Sequence, residues 1–232
     1  MPWDDHVLPH GDLECLTPGL WHVQGTLKHQ PLPRAMAVYR MPDGRLWLHS
    51  AIALDDARRT ELEALGPIGV LLVPSGMHRL DAAVYKERYP EAQVVCPSAA
   101  RAAVEKVVAI DAVAEDVLDD LGVRCHRPPG LKPDELVYEL PLDDGVALVF
   151  CDALFNLDEL PGCAGRIAGW MGSTGFFGTT FIGRMFLADK AGWKGWLLDQ
   201  SNREDVRVIH VAHGEPITRD CSRRLREAGE RL

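Results

Sequence analysis

The sequence predicts an α/β protein, a four-layer αββα sandwich with two sheets inside and helices outside. Three observations lead there. Val70–Val73 is a short continuous apolar run closed by Pro74, Ser75 and Gly76, the pattern of a strand buried on both faces. Two Asp-Gly turns, at Asp43-Gly44 and Asp144-Gly145, each join a pair of strand-like runs into a hairpin. The order of elements is hairpin, α-β-α-β-α, hairpin, α-β-α, which is two mixed halves each opened by antiparallel strands.

In chain order, residues 1–19 hold three prolines and little periodicity and read as an irregular lead-in. Residues 20–232 read as a single domain. Leu20–Val23 is a short strand, and Met36–Arg40 and Arg45–His49 flank the first Pro-Asp-Gly turn. Asp55–Leu65 is a helix with Leu62 and Leu65 inward, capped by Asp55 or Asp56 and stopped by Gly66-Pro67. The Val70 strand follows, then a helix over Leu80–Tyr89 closed by Pro90, a strand Gln93–Cys96, and a helix Ser98–Val107. Asp116–Leu121 is a short acidic segment, and Val123–Arg127 starts a strand that Pro128-Pro129-Gly130 breaks. Glu135–Leu140 and Val146–Phe150 form the second hairpin. Asp189–Asp199 is a helix with Trp193 and Trp196 on one side, Val206–Val211 is the last buried strand, and Asp220–Leu232 is the closing helix.

At 232 residues the chain suits one large domain with a sizeable core. Its net charge of −9 argues against a nucleic-acid partner, which needs a basic stripe; the five Arg between Arg219 and Arg231 are interleaved with acids. Six cysteines without a CxxC pair give neither zinc-ribbon spacing nor a disulfide framework, and point to buried thiols in a reducing cytoplasm. The acidic N-terminus has no signal-peptide pattern, and no run of 18 apolar residues provides a membrane span.

Four strand ends carry residues that a reaction can use. The loop after a buried strand lies where α/β proteins place ligands, and this singles out His78. VALVFCD delivers Asp152, a carboxylate after five apolar residues that needs a partner, a metal or a helix to cap. VIHVAHGEP delivers His213-Gly214, and the second strand of the first hairpin ends at His49-Ser50, which either acts in the site or holds its loop by hydrogen bonds. His22, His29, His126 and His210 read as single core or surface histidines. His78, Asp152 and His213 would make a facial triad for one divalent metal, with positions left for water. The same residues with His49 would otherwise form a metal-free polar cluster, with Arg79 as the cation that neutralises Asp152.

This order of residues resembles the metallo-β-lactamase fold and, within it, the divergent family DUF4336. The matching stretches are LWLHSAIALDD (46–56), residues 62–98 including HRLD and YKERYPEA, LVFCDALFN (148–156) and VIHVAHGEPI (208–217). The resemblance implies the αββα sandwich and two metals held by an HxHxDH signature, two later histidines and a bridging aspartate. The signature falls on Pro74–Arg79, with Pro74 and Gly76 in place of its first two histidines, and Leu131 in place of the next. His78, Asp152 and His213 match the second site. The resemblance therefore implies a depleted centre holding one divalent metal (zinc, iron or manganese) or none. It implies either a mononuclear hydrolase acting on a small molecule, with a metal-bound water as nucleophile and His49 as proton carrier, or a non-catalytic binding relic.

Gly165–Leu187 is rich in glycine and aromatics. Three readings stand side by side: a core-lining loop and helix, a lid or homodimer contact over the pocket mouth, and a membrane-touching segment.

Overall fold

The structure is a computed structural model, and it describes residues 2–28, 30–158 and 174–232. The chain divides into two compact units, Met1–Cys125 and His126–Leu232.

The first unit is built on a seven-stranded sheet whose strands lie in chain order. These are β1 (Glu14–Thr17), β2 (Leu20–Leu27), β3 (Gln30–Arg40), β4 (Leu46–His49), β5 (Ile68–Leu72), β6 (Gln93–Cys96) and β7 (Ala112–Val113). The Pro-Asp-Gly turn closes the expected hairpin, with Arg40 opposite Leu46 and Ala37 opposite His49. From β4 onward the pairing is parallel, because each connection carries a helix or a long crossover. The stretch read as an irregular lead-in contributes the edge strand β1 and a 3-10 turn at Trp3–His6. Trp3 sends its indole N–H to the Leu54 carbonyl at 2.7 Å, which ties that turn down.

Helix α1 (Asp56–Leu65) starts where its sequence says, with the Asp55 carboxylate accepting from the Arg58 N–H. Helix α2 (Ala82–Arg88) buries Ala82, Val84 and Tyr85. The helix expected over Ser98–Val107 is instead a 3-10 turn at Ser98–Ala100 followed by one turn of α3 (Arg101–Val104). The adjacent β-branched Val107 and Val108 oppose continuation, and their N–H groups both fall on the Val104 carbonyl. Helix α4 (Ala114–Val117) and a 3-10 turn at Asp119–Leu121 occupy the acidic segment. The core gathers Met36, Val38, Leu46, Leu48, Ile52, Leu54, Leu62, Leu71 and Tyr85. Each such aliphatic side chain contributes about 2 kcal/mol through burial.

The second sheet has the order β13-β10-β9-β8. Its strands are β8 (Arg124–His126), β9 (Val137–Leu142), β10 (Gly145–Phe150) and β13 (Val206–Val211). The second hairpin forms as expected, with Gly145 opposite Leu142, and β13 runs parallel to β10 so that Phe150 and Val211 end side by side. A two-stranded ribbon, β11 (Phe155–Leu157) with β12 (Phe176–Gly178), follows β10. Helix α5 (Lys190–Ser201) is capped by the Asp189 carboxylate, which accepts from Ala191 and Gly192. Trp193 and Trp196 stack on its inner side at 5.3 Å. Helix α6 (Cys221–Glu230) buries Leu225 and Ala228. His126 is not the single histidine that the sequence suggests: its Nε2 lies 3.0 Å from Glu139, which also takes Arg203 at 2.6 Å. These two partners pull the Glu139 carboxyl down to about 2, the hydrogen bond from His126 contributing most.

Candidate metal centre

In the second unit the candidate residues follow from the parallel pair. Strands β10 and β13 end together, and the next residues turn toward each other as the Ala212 N–H donates to the Phe150 carbonyl at 3.1 Å. Asp152 and His213 are thereby delivered to one point. His213 Nε2 lies 3.1 Å from Asp152 Oδ1, and the two residues are 5% and 4% exposed respectively. The His213 ring is held flat against Phe155, with centroids 5.1 Å apart and an interplanar angle of 9°. Gly214 takes φ +108°, and a Cβ there would meet the Asn156 carbonyl oxygen at 1.9 Å. Only glycine lets the chain turn so tightly after His213. The pairing of Asn156 with both His213 and Glu215 depends on that turn.

Two neighbours complete the pair. The Cys151 thiol, also buried, donates toward Asp152 Oδ2 at 3.7 Å. Glu135, 2% exposed, accepts the Asp152 backbone N–H at 3.2 Å. Burial, and next the nearby Asp152 charge, hold the Glu135 carboxyl well above the usual carboxylate range. Sequence reasoning missed Glu135. It starts a strand as an ordinary polar residue, and nothing local tells that its side chain turns inward.

In the first unit the expected loop after β5 is a turn over Ser75–Leu80, in which the His78 N–H donates to the Ser75 carbonyl. His78 Nδ1 and Ser50 Oγ are hydrogen-bonded at 2.8 Å. Ser50 is buried and holds φ +56°, a left-handed conformation that a non-glycine residue adopts only under constraint. His49 beside it is fully buried at the end of β4, its ring stacked on Trp47 at 5.7 Å. Arg79, the expected neutraliser of Asp152, donates to the Ala103 carbonyl within its own unit. A Cβ on Gly76 would meet the Ala103 Cβ at 2.7 Å, so α3 leaves no room for a longer side chain there. Leu131 is packed in the apolar core of the second unit.

No family model matches the sequence, and no curated protein matches it. Solved structures do match. The metallo-β-lactamase FIM-1 from Pseudomonas aeruginosa, in its mono-zinc form, has a TM-score of 0.62 over 97% of both chains at 15% identity. The metallo-β-lactamase DIM-1 exposed to ceftazidime gives 0.66 over 97% of this chain and 98% of its own, at 11% identity. A metallo-β-lactamase from Hirschia baltica gives 0.61 over 94% and 97%, at 16% identity. The fold is that of the metallo-β-lactamases. At these identities the likeness concerns the fold, and the fold class expected from the sequence is borne out. On the metallo-β-lactamase fold of this chain, no helix among the described residues is long and apolar enough to cross a membrane.

Part of the glycine and aromatic segment, residues 165–173, lies outside the described residues, as do His29 and Cys163. From Thr174 onward, Phe177 and Phe186 are buried, as the core-lining reading expects, while Phe181, Ile182 and Met185 are exposed. Thr179 Oγ1 donates to the Ala153 carbonyl and accepts from the Trp193 indole, both at 3.0 Å, which fastens this stretch beside Asp152.

Proposed function

We propose that the protein is a metal-dependent hydrolase that works with one divalent ion, held by Asp152 and His213. The Asp152–His213 contact carries this reading. Two ligands of a tetrahedral zinc, each about 2.1 Å from it, stand about 3.4 Å apart. The observed 3.1 Å between Nε2 and Oδ1, and 3.7 Å from Cys151 Sγ to Oδ2, fit oxygen, nitrogen and sulfur donors around one ion. The mono-zinc form of FIM-1 gives the reading a precedent on this fold. The packing of Gly76 against Ala103 and the apolar place of Leu131 support a centre depleted of its other ligands, as in the DUF4336-like reading.

A bound ion of this kind lowers the pKa of its water and polarises a substrate carbonyl. The chain's own residues prepare the place. Phe155 and Gly214 fix the His213 ring, and Glu135 holds the Asp152 backbone. Within the first unit, Ser50, rather than the fully buried His49, is the neighbour that orients His78, through the hydrogen bond between Oγ and Nδ1. No disulfide joins the five described cysteines, which fits work in a reducing cytoplasm.

The second reading, a metal-free binding protein, draws on the same contact, since Asp152 and His213 already satisfy one another as a buried pair. Metal analysis of untagged protein separates the two. One equivalent of metal, lost in Asp152→Ala and in His213→Ala, supports the hydrolase. Absence of metal from the wild type, together with a loss of stability in Asp152→Ala that leaves His213 buried without its partner, supports the binding protein. Retention of metal by His78→Ala removes His78 from the ligand set.

A further inference from the structure

Among the described residues of the second unit, Phe181, Ile182 and Met185 are the large apolar side chains left in solvent, at 57%, 44% and 64% exposure. The backbone puts them together. The Arg184 N–H donates to the Thr180 carbonyl and the Met185 N–H to the Ile182 carbonyl, so the chain winds helically from Thr180 into a 3-10 turn at Gly183–Phe186. Met185 therefore shares one face with Phe181, four residues back, and with Ile182, three back. The other face is spent on the core. Phe186 is buried, and a Cβ on Gly183 would lie 3.2 Å from the Asp152 carbonyl oxygen and 3.3 Å from that of Ala153. Backbone thus fills the inner side, and the three apolar side chains have only solvent to face.

Three cations flank this face in a chain whose net charge is −9. Arg184 is exposed within the turn. Lys132, also exposed, donates its backbone N–H to the Phe186 carbonyl at 2.9 Å, and the exposed Lys190 opens α5 four residues beyond Phe186. The acids next to them in the chain are engaged or turned in. Asp189 gives its carboxylate oxygens to the Ala191 and Gly192 N–H groups, Asp134 is partly buried, and Glu135 is buried. An apolar knob rimmed by cations matches a bilayer with anionic headgroups, where apolar side chains enter the acyl boundary and cations meet phosphates. We infer that this face docks the protein onto an anionic membrane surface. The contact is peripheral, since the knob is one turn deep and no helix among the described residues crosses a bilayer. A second copy of the chain fits the face less well, because a two-fold contact sets the three cations of one copy against those of the other. The docking requires neither a metal nor a reaction.

The test is co-sedimentation of the full chain with vesicles of phosphatidylcholine alone or mixed with phosphatidylglycerol. Each cation near an anionic surface strengthens binding about fivefold, so three give a preference of about 100-fold for the mixed vesicles at low salt. Added salt erodes that preference as the screening length shortens. Phe181→Ser with Met185→Ser, and separately Arg184→Glu, each weaken binding by about tenfold or more. All three positions are exposed, and an unchanged circular dichroism spectrum shows that the variants fold. No pelleting of the wild type with either composition overturns the proposal. Equal pelleting with both, or binding that salt leaves unchanged, removes the cations from the contact and overturns it too; both readings use the wild type alone. A dimer in sedimentation velocity without vesicles, dissociated by the double serine variant, shows that a second copy covers the face and likewise overturns the docking.

Discussion

Asp81 is the residue whose loss the first unit should feel most. Its carboxylate is fully buried and takes Arg34 Nη1 at 2.7 Å, His6 Nδ1 at 3.2 Å and the Ala53 N–H at 3.0 Å. Arg34 is itself buried, and its Nε–H donates to the Thr26 carbonyl. Asp81→Ala leaves that guanidinium without a counter-charge, which costs about 3–5 kcal/mol. At a urea slope of about 2.5 kcal/mol/M the unfolding midpoint falls by about 1.5 M. The double variant Arg34→Met with Asp81→Leu removes both charges and recovers most of the loss, because an apolar pair of similar volume avoids the desolvation of two ions. Urea denaturation followed by circular dichroism measures all three proteins. A midpoint shift below 0.4 M, about 1 kcal/mol at that slope, in Asp81→Ala refutes the argument that the pair is a buried charge system. A double variant no more stable than the single one refutes the desolvation part alone.

Three further outcomes follow from named contacts. Ser50→Gly relieves about 1 kcal/mol of left-handed strain and forfeits about as much in the hydrogen bond to His78, so stability stays within about 0.5 kcal/mol. Metal affinity, read by competition with a chelating dye, falls about 10- to 100-fold if His78 is a ligand oriented by that hydroxyl. Gly214→Ala drives a Cβ into the Asn156 carbonyl and costs about 3 kcal/mol by thermal unfolding; a change under 1 kcal/mol contradicts the tight turn. Burial lowers His22 from 6.5 to about 4, so between these values the unfolded chain binds a proton that the folded chain refuses. Stability is therefore lost as pH falls from 6.5, by about 2.5 kcal/mol at pH 4.5, and His22→Gln removes that share of the slope. Equal slopes in wild type and variant contradict it.

The fold was legible because its signals are local. The Val70 run, the two Asp-Gly turns and the Asp55 cap each specify their own few residues, and the fold class follows from their order. Asp152 and His213 were legible for the same reason: each directly follows a buried strand, and parallel neighbours end together. Glu135, the backbone of Ser50 and the Asp81–Arg34 pair were not, since each depends on a contact between residues far apart in the chain. Asp81 even has the residue type of a helix cap, yet its carboxylate makes no capping bond and points into the core. The helix expected over Ser98–Val107 failed at its valines, where the apolar spacing outweighed backbone stiffness in the sequence reading.

The strand orders of the two sheets have a consequence for synthesis. Seven strands laid down in chain order can each add to the one before, so the first sheet can grow as the polypeptide leaves the ribosome. The other sheet takes its last-made strand, β13, as the direct neighbour of β10, and must wait for a long loop to close. Since β13 brings His213 to Asp152, the acid waits on the nascent chain for its partner until β13 has been made.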